Sequence, residues 1–380
     1  MGELQVMPTP RQVDIAITGR CNLACAYCFY ADEMVARSDL PTDRWLAFFG
    51  ELGQLGVMTI CLTGGEVFTR RDLFDLIDGL IANRMCYQLL TNGTLITERM
   101  LAQFEGGKRR LRMDSIQLSV DGSRAEIHDR SRPNSFHRVI RALRLLVEAR
   151  FPITVRVTVN KYNVDDLENI ARLLLDEICL PGFSTNEAYA CGAVNRTDGG
   201  VMLTSAQRLQ AMRTLTELAT RYNGRISAQA GPLALAREFE MIAAELSAGR
   251  TSVPGRGTLC ACGGVFSKIA VLHDGTLVPC HNLSNLHLGR IGVDDLRQVW
   301  LEHPLMNAGR QRREIPLSSL DTCRECRYQG FCTGGCPGGA VYLNGELNTR
   351  NPFDCFRVLK GEDLDYALGA TEAVFSCEAN

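Results

Sequence analysis

Residues Val13–Cys28, VDIAITGRCNLACAYC, decide the fold of this chain. The apolar run Val13–Ile17 predicts a buried strand, and a loop with three cysteines, Cys21, Cys25 and Cys28, follows it directly. Gaps of three and two residues let three sulfur atoms face one small inorganic cluster. Because four thiolates normally hold a [4Fe–4S] cube, three thiolates leave one iron open for a ligand that is not protein.

Zinc is the alternative metal for this loop. Structural zinc takes four ligands, usually from paired CxxC units, and the sequence offers no fourth Cys or His close to these three thiols. The spacing therefore favours an iron–sulfur cluster over zinc.

The composition excludes several classes of function. The 380 residues carry 41 basic and 43 acidic side chains, so a formal net charge of −2 favours neither nucleic acid nor an anionic membrane as partner. No run of about eighteen apolar residues and no apolar signal segment occurs, which predicts a cytoplasmic protein. Sixteen cysteines in such a chain indicate metal or redox chemistry rather than disulfides.

Short apolar runs alternate with amphipathic segments over residues 12–225. Six strand-then-helix units predict a parallel sheet with right-handed crossovers, curved into a partial (β/α)6 TIM-like barrel, since six units are too few to close the eight-stranded barrel. A doubly wound open sheet is the alternative. In both folds the chemistry gathers at the carboxyl ends of the strands. The predicted strands are Val13–Ile17, Met58–Leu62, Tyr87–Leu90, Ser115–Val120, Ile153–Val159 and Gly182–Ala188.

The regular alternation of strand and helix patterns ends after the barrel. A helical pattern at Leu233–Leu246 is followed by Gly249–Gly257, where four of nine residues are Gly or Pro. Beyond this break Asp274-Gly275 predicts a hairpin, one helix is indicated near Val293–Leu301, and bound metal is expected to order the region. The predicted domains are an N-terminal extension (1–11), a barrel (12–225), a connecting helix and linker (226–258), a small cysteine-rich α+β domain (259–360) and a tail (361–380).

The cysteine loop resembles the signature of the radical S-adenosylmethionine (SAM) superfamily, because an aromatic residue, Tyr27, precedes its last cysteine. The resemblance covers about residues 12–222. Val67 departs from the family, in which proline is common at this position, and one extra residue separates Ser119 from His128. The further matching motifs follow predicted strands in the family's order: Gly64-Gly65-Glu66, Thr91-Asn92-Gly93, Ser119-Val120-Asp121-Gly122 and His128–Arg132.

The resemblance implies a SAM site and radical chemistry. In the family, the backbone of the Gly-Gly-Glu motif receives the methionyl amino group, the serine contacts the ribose, and the arginine contacts the carboxylate. SAM chelates the open iron and is cleaved reductively to a 5′-deoxyadenosyl radical, which removes a hydrogen atom from a substrate carbon. The SAM contacts implied here are Tyr27, Gly64, Gly65, Glu66, Asn92, Ser119 and Arg132.

A second cysteine array in the C-terminal region resembles the SPASM domain of the same superfamily. Its centre reads C-x2-C-x5-C-x3-C, with further cysteines on both sides, although zinc ribbons also use CxxC units. The resemblance implies two auxiliary [4Fe–4S] clusters, and hence three in the chain. The implied ligands are Cys262, Cys280 and Cys336 for the first, with Cys260 as candidate fourth, and Cys323, Cys326, Cys332 and Cys355 for the second.

The SPASM resemblance predicts a peptide substrate. We expect a maturase that abstracts hydrogen from a ribosomally synthesised precursor peptide and installs an oxidative cross-link. The alternatives are an anaerobic sulfatase-type maturase and a small-molecule radical dehydrogenase. A non-catalytic iron–sulfur electron carrier is disfavoured, because such a protein needs no SAM motif.

Two kinds of partner protein are expected besides the peptide. A flavodoxin or ferredoxin-type protein is the expected electron donor. Many maturases begin with a winged-helix leader-binding domain, whereas the first strand here starts by residue 13. Either a separate leader-binding protein delivers the peptide, or the barrel and tail bind it directly.

Two residues outside the cluster motifs are candidates for catalysis. Cys191 follows the sixth predicted strand and is a candidate hydrogen-atom donor to a substrate radical, with a plain loop thiol as the alternative. His281 lies beside Cys280 and is a candidate proton-transfer group.

Overall fold

The computed structural model describes residues 6–36, 38–196, 200–260 and 262–359. The tail predicted at 361–380, and the first five residues of the predicted N-terminal extension, lie outside the described residues. The strands are β1 Gln12–Ala16, β2 Thr59–Thr63, β3 Cys86–Thr91, β4 Met113–Ser119, β5 Ile153–Val159, β6 Phe183–Glu187, β7 Ile226–Ala228, β8 Lys268–Val271, β9 Thr276–Val278 and β10 Gly289–Arg290.

The strand order identifies the architecture. Strands β1 to β7 lie side by side in chain order, each parallel to its neighbours. A doubly wound sheet reverses its strand order near the middle, so the sequential order excludes that alternative and confirms the partial (β/α)6 barrel. The seventh strand, β7, lies in the region predicted as a linker. The sequence did not reveal it because three residues are too few to show a period.

Helices cover the outer face of this sheet. The fourth strand-to-helix unit ends in α6, whose Val139, Leu143 and Leu146 are fully buried. No helix in the described part of the chain is both long enough and apolar enough to cross a bilayer. The helices are α1 Ala31–Ala36, α2 Thr42–Gln54, α3 Leu73–Ala82, α4 Glu98–Phe104, α5 Ala125–His128, α6 Phe136–Glu148, α7 Leu167–Ala171, α8 Ser205–Arg221, α9 Pro232–Ser247, α10 Gly264–Ser267, α11 Leu296–Glu302, α12 Pro304–Gln311, α13 Pro337–Asn344 and α14 Phe356–Leu359.

The barrel strands are apolar outside and polar inside. In β4, Ile116 and Leu118 belong to the main apolar core, whereas the alternate residues Gln117 and Ser119 line a cavity within the sheet's curve. The same alternation in β5 places Arg156 in the cavity. Because successive side chains of a strand point to opposite faces, one pattern builds both the core and a polar interior.

The sheet continues across the predicted domain boundary. Strand β8 pairs parallel with β1, from Gln12 opposite Lys268 to Ile15 opposite Val271. The turn at Asp274-Gly275 then reverses the chain into β9, which confirms the predicted hairpin.

The C-terminal region needs a correction. Helices α12 and α13 were not predicted, and metal was expected to order the whole of 259–360. Its first half is instead part of the barrel's apolar core, to which Val265, Leu277, Trp300 and Met306 contribute. Apolar residues scattered over short strands and helices gave no long period that the sequence could reveal.

Candidate active site

The three cysteines of the loop after β1 line one cavity of about 420 Å³ at the carboxyl ends of the barrel strands. Backbone bonds hold the loop: Ala26 N donates to the Ser131 carbonyl at 2.9 Å, and Cys28 N to the Cys25 carbonyl at 3.2 Å. Burial raises the pKa of all three thiols, to about 12 for Cys28. Iron must therefore displace protons when it binds Cys21 and its neighbours.

The spread of the thiols fits a cluster rather than a single ion. In the described ranges no three His, Cys, Asp or Glu side chains converge closely enough to bind one metal ion. The three thiols instead stand around the wall of the cavity, as a multi-iron cube requires.

Two glycines after β2 allow the backbone to pass close to this loop. A Cβ on Gly64, whose φ is +136°, would lie 2.4 Å from the Thr18 carbonyl oxygen, and one on Gly65 would lie 2.3 Å from that of Arg20. The amides of Gly65 and Glu66 donate to these same two carbonyls at 2.8 Å. No described residue donates to the Gly64 or Gly65 carbonyl, so these acceptors suit an incoming amino group.

The Glu66 carboxylate ties the end of β2 to the end of β3. It is 1% exposed, and it accepts hydrogen bonds from Thr91 Oγ1 at 2.7 Å, Asn92 N at 2.8 Å and Phe68 N at 3.1 Å. Burial raises the pKa of Glu66, while the three hydrogen bonds act in the opposite direction and lower it. The Glu66 side chain is not among those that line the cavity; its carboxylate joins the ends of β2 and β3, and its contact with SAM stays a prediction.

Asn92 links the third strand to the cysteine loop. Its Nδ2 donates to Asn22 Oδ1 at 2.9 Å, while Asn22 Nδ2 donates to Thr94 Oγ1 at 2.8 Å. The sequence reading missed Asn22, which stands directly after Cys21. Its place inside the cysteine motif was the available signal.

Asp121 is the anchor that the sequence reading left without a role. The carboxylate is fully buried and accepts bonds from Tyr27 Oη, from Arg132 Nε at 2.5 Å and from Thr158 N at 2.7 Å. Arg132 Nη1 lies 3.7 Å from Cys25 Sγ. Two predicted SAM contacts, Tyr27 and Arg132, are thus fixed beside the cluster loop by one acid.

His128 fixes the segment that carries Arg132. Its Nδ1 accepts a bond from Asp121 N at 3.0 Å, so Nε2 carries the proton and faces Ser135 Oγ at 2.9 Å. Burial lowers its pKa to about 4 and keeps the ring neutral. A Cβ on Gly122 would lie 2.4 Å from His128 N, which explains the glycine.

The structure brings together the first set of C-terminal cysteines. Cys262, Cys280 and Cys336 line one cavity of about 70 Å³, with Asp14 of β1 in its wall. Cys260 does not line it, and its sulfur instead accepts a bond from Cys262 N at 3.1 Å. The structure thus places three of the four predicted thiols around this space.

The second set also converges. Arg350 lines the cavity of this second set and donates from Nη1 to Cys355 Sγ at 2.7 Å. The sequence analysis did not single out this residue. A cation here stabilises thiolate ligands. The four thiols that line this cavity of about 20 Å³ are Cys323, Cys326, Cys332 and Cys355.

Cys191 lines the cavity of about 420 Å³ that also contains the three cysteines of the cluster loop, the main cavity of the barrel. It is 2% exposed, and burial raises its pKa to about 12. The next two residues hold the loop of Cys28: Ala193 N donates to the Cys28 carbonyl at 2.9 Å, and a Cβ on Gly192 would lie 2.3 Å from that oxygen.

His281 is placed elsewhere. Its Nε2 lies 3.2 Å from the Val271 carbonyl, its ring packs edge-on against Tyr30, and it is not among the residues lining the main cavity. The structure therefore separates the two candidates for catalysis.

Comparison with known proteins identifies the class. Residues 15–174 match the family model described as the radical SAM superfamily, and residues 260–327 match the SPASM iron–sulfur cluster-binding domain. Residues 15–174 thus carry a radical SAM domain and residues 260–327 a SPASM domain, which confirms the resemblance expected from the motifs.

Two relatives align with most of the chain. PqqA peptide cyclase of Ruegeria pomeroyi is 27% identical over 353 residues, covering 91% of this chain and 87% of the relative. AdoMet-dependent heme synthase of Methanosarcina barkeri is 24% identical, covering 92% of this chain and 97% of the relative.

Solved structures share the fold. Streptococcus suis SuiB bound to precursor peptide SuiA has a TM-score of 0.70 at 17% identity, covering 92% of this chain and 77% of that one. Native anSMEcpe with bound AdoMet has a TM-score of 0.66 at 18% identity, covering 96% and 98%.

Proposed function

We propose that this protein is a radical SAM/SPASM maturase that abstracts hydrogen from a peptide and installs a cross-link. The observation that carries the proposal is the single cavity lined by Cys21, Cys25 and Cys28 together with Gly65, Ser119 and further residues of the barrel. SAM and an iron–sulfur cluster, when bound there, supply a carbon-centred radical that removes a hydrogen atom.

The chain's own residues bind and orient SAM. The three thiols would hold three irons of a cluster, and the carbonyls of Gly64 and Gly65 would accept a hydrogen bond from the methionyl amino group. Arg132, fixed by Asp121, binds the carboxylate, since a guanidinium suits a carboxylate. Ser119 lines the same cavity and would contact the ribose.

A peptide substrate is supported by the relatives. One is named as a peptide cyclase, and one solved structure of the same fold is described as bound to its precursor peptide. The sulfatase-type maturase and the small-molecule radical dehydrogenase stay as alternatives, and the heme synthase relative adds a non-peptide substrate to test against.

We further propose three [4Fe–4S] clusters. An oxidative cross-link removes two hydrogen atoms from the peptide. The 5′-deoxyadenosyl radical takes one of them, and the second leaves as a proton and one electron, so that electron needs an acceptor. The two C-terminal thiol sets would hold clusters suited to that task. About twelve irons per chain are expected after anaerobic reconstitution. A count of four would contradict the two auxiliary clusters.

The expected partners are a flavodoxin or ferredoxin-type electron donor and, for delivery of the peptide, a separate leader-binding protein. We place the enzyme in the cytoplasm, because a reducing compartment keeps thiols available for iron.

Mass spectrometry tests the proposed function. The reconstituted enzyme is incubated without oxygen with SAM, a reductant and the short peptide encoded beside its gene. A peptide lighter by two hydrogen atoms, with 5′-deoxyadenosine formed, is expected. Modification of a sulfatase-derived cysteine or serine peptide, or of a porphyrin, in place of the precursor would overturn it.

A further inference from the structure

Among the described residues that line the main cavity, Arg156 is a cation without a counterion. Arg156 lies in the middle of β5 and lines the main cavity, with Val155 and Val157 on either side buried in the apolar core. Its Nη2 has one weak contact, with Gln117 Oε1 at 3.4 Å, and its buried Nε has no hydrogen-bond partner.

The other charges near this cavity are paired. Glu187 is buried against Arg208, with Oε1 at 2.5 Å from Nη2 and at 2.9 Å from Nε. Asp121 is bound to Arg132. No acidic side chain of the described residues lies within ion-pair distance of Arg156.

An arginine in this state is suited to binding an anion. Burial lowers its pKa, and no acid opposes that effect. Arg156 is half-buried, and a half-buried cation with so few hydrogen-bond partners favours the binding of an anion. The ligand that completes this site must therefore carry negative charge.

The cluster and SAM do not supply that charge. Arg132 Nη1 lies 3.7 Å from Cys25 Sγ, whereas the hydrogen bond of Arg156 among the described residues goes to Gln117 and not to a cluster thiol. SAM has one carboxylate, which Arg132 is placed to bind. The substrate is the remaining source of an anion.

The neighbours of Arg156 across the sheet indicate where the substrate lies. Arg156 pairs with Ser119 of β4, the residue expected to contact the SAM ribose. On its other side Arg156 pairs with Ser184 of β6. Two residues further along β6, Asn186 lines the same cavity, and its buried Oδ1 has no hydrogen-bond partner among the described residues. An amide with a free polar atom is complementary to a peptide group.

We propose that Arg156, Gln117 and Asn186 form a subsite for an acidic residue of the substrate. The guanidinium binds the side-chain carboxylate, and the Asn186 amide binds the adjoining peptide group. This proposal rests on the proposed action on peptides and names a sequence preference within it: an Asp or Glu close to the carbon from which hydrogen is removed.

Binding to the reconstituted holoenzyme tests the subsite without turnover. The probes are N-acetyl-glutamate N-methylamide, its neutral glutamine analogue, and propanoate, which carries the carboxylate alone. Saturation-transfer NMR should show the glutamate probe binding about tenfold more tightly than either of the others, since a charge-assisted bond and a peptide contact are each lost. Equal binding of the glutamate and glutamine probes would overturn the proposal.

Substitutions assign the effect to Arg156. Arg156→Gln should remove the preference for glutamate, Arg156→Lys should keep part of it, and the control Arg138→Gln, on the exposed face of α6, should leave it intact. The ligand-free Arg156→Gln protein should melt no lower than the wild type, because an unpaired buried charge is gone. A lower melting temperature with the glutamate preference intact would show a purely structural role and contradict the subsite.

Equilibrium dialysis separates the substrate from SAM. SAM should bind to Arg156→Gln within about twofold of its wild-type affinity. A loss of about tenfold would show that Arg156 serves the SAM carboxylate and would overturn the proposal. A wild-type protein that prefers the glutamate probe but modifies no peptide would contradict the proposed function and leave the subsite standing.

Discussion

The N-terminal and C-terminal thiol sites are built from similar ligands on different supports. The N-terminal loop follows β1 directly. It is hydrogen-bonded to neighbouring loops through Ala26 and Asn22, and the glycines after β2 pack closely against it. Behind it lies the main apolar core, which extends through every barrel strand. Hydrogen bonds and apolar packing of the protein therefore support the geometry of this site.

The C-terminal thiols are themselves part of the packing. One small core consists of Leu259, Leu317 and Cys323 with Cys332 against it, and another has Cys326 packed at its edge. Such clusters bury little apolar surface, so bound metal contributes a large share of their order. We therefore expect loss of iron to abolish the chemistry of the N-terminal site without unfolding it, and to unfold the segments around the C-terminal thiols.

The largest effect is expected at the first site. Cys25→Ala should reduce 5′-deoxyadenosine formation to the level without enzyme, because one iron loses its ligand. The far-ultraviolet circular dichroism and the iron held by the C-terminal thiols should stay, since the barrel core is untouched. The control is Cys61→Ala, a buried β2 thiol outside the cavity. Retained SAM cleavage in Cys25→Ala would refute the role of the loop.

Removal of iron with a chelator tests the second site. Trypsin should then cut within 312–359 at least about tenfold faster than in the holoprotein, while the barrel and the hairpin of β8 and β9 resist. The Cys332→Ala protein should reproduce this pattern without a chelator. Cleavage that begins in the barrel would mean that both regions depend equally on metal.

Backbone packing at the first site is tested by paired glycine substitutions. Gly64→Ala should lower the free energy of unfolding by about 3 kcal/mol or more, because a Cβ meets the Thr18 carbonyl at a strained φ. Gly56, with φ of +75° and nothing within 4 Å, is the control, and its alanine variant should cost about 1 kcal/mol. Chemical denaturation measures both. Equal losses would show that close approach contributes nothing.

The same comparison explains what the sequence could predict. The strands and thiol loop of the barrel carry local signals: alternation, turn residues and fixed spacing. All six predicted strands exist, and β5 has the predicted bounds Ile153–Val159. The pairing of β8 with β1 joins residues about 250 positions apart, and no local pattern encodes such a contact.

Site residues divide in the same way. The thiols were predictable because their chemistry is specific, whereas Asp121 and Arg156 are common residue types whose roles depend on what surrounds them. Asp121 gains its role from three donors on separate segments. The role proposed for Arg156 follows from its lack of an ion-pair partner among the described residues, and a sequence pattern does not show this.

The smallest predicted effect concerns pH and the buried His128. Its pKa is about 4 in the fold, against 6.5 for a free imidazole, so the unfolded chain binds more protons between these values. Stability should therefore fall by about 2 kcal/mol as pH drops from 7 to 5. His128→Gln should remove that component, with His137→Gln, an exposed site on α6, as the control. Unchanged pH dependence of urea unfolding in His128→Gln would show that the neutral ring does not fix the segment carrying Arg132.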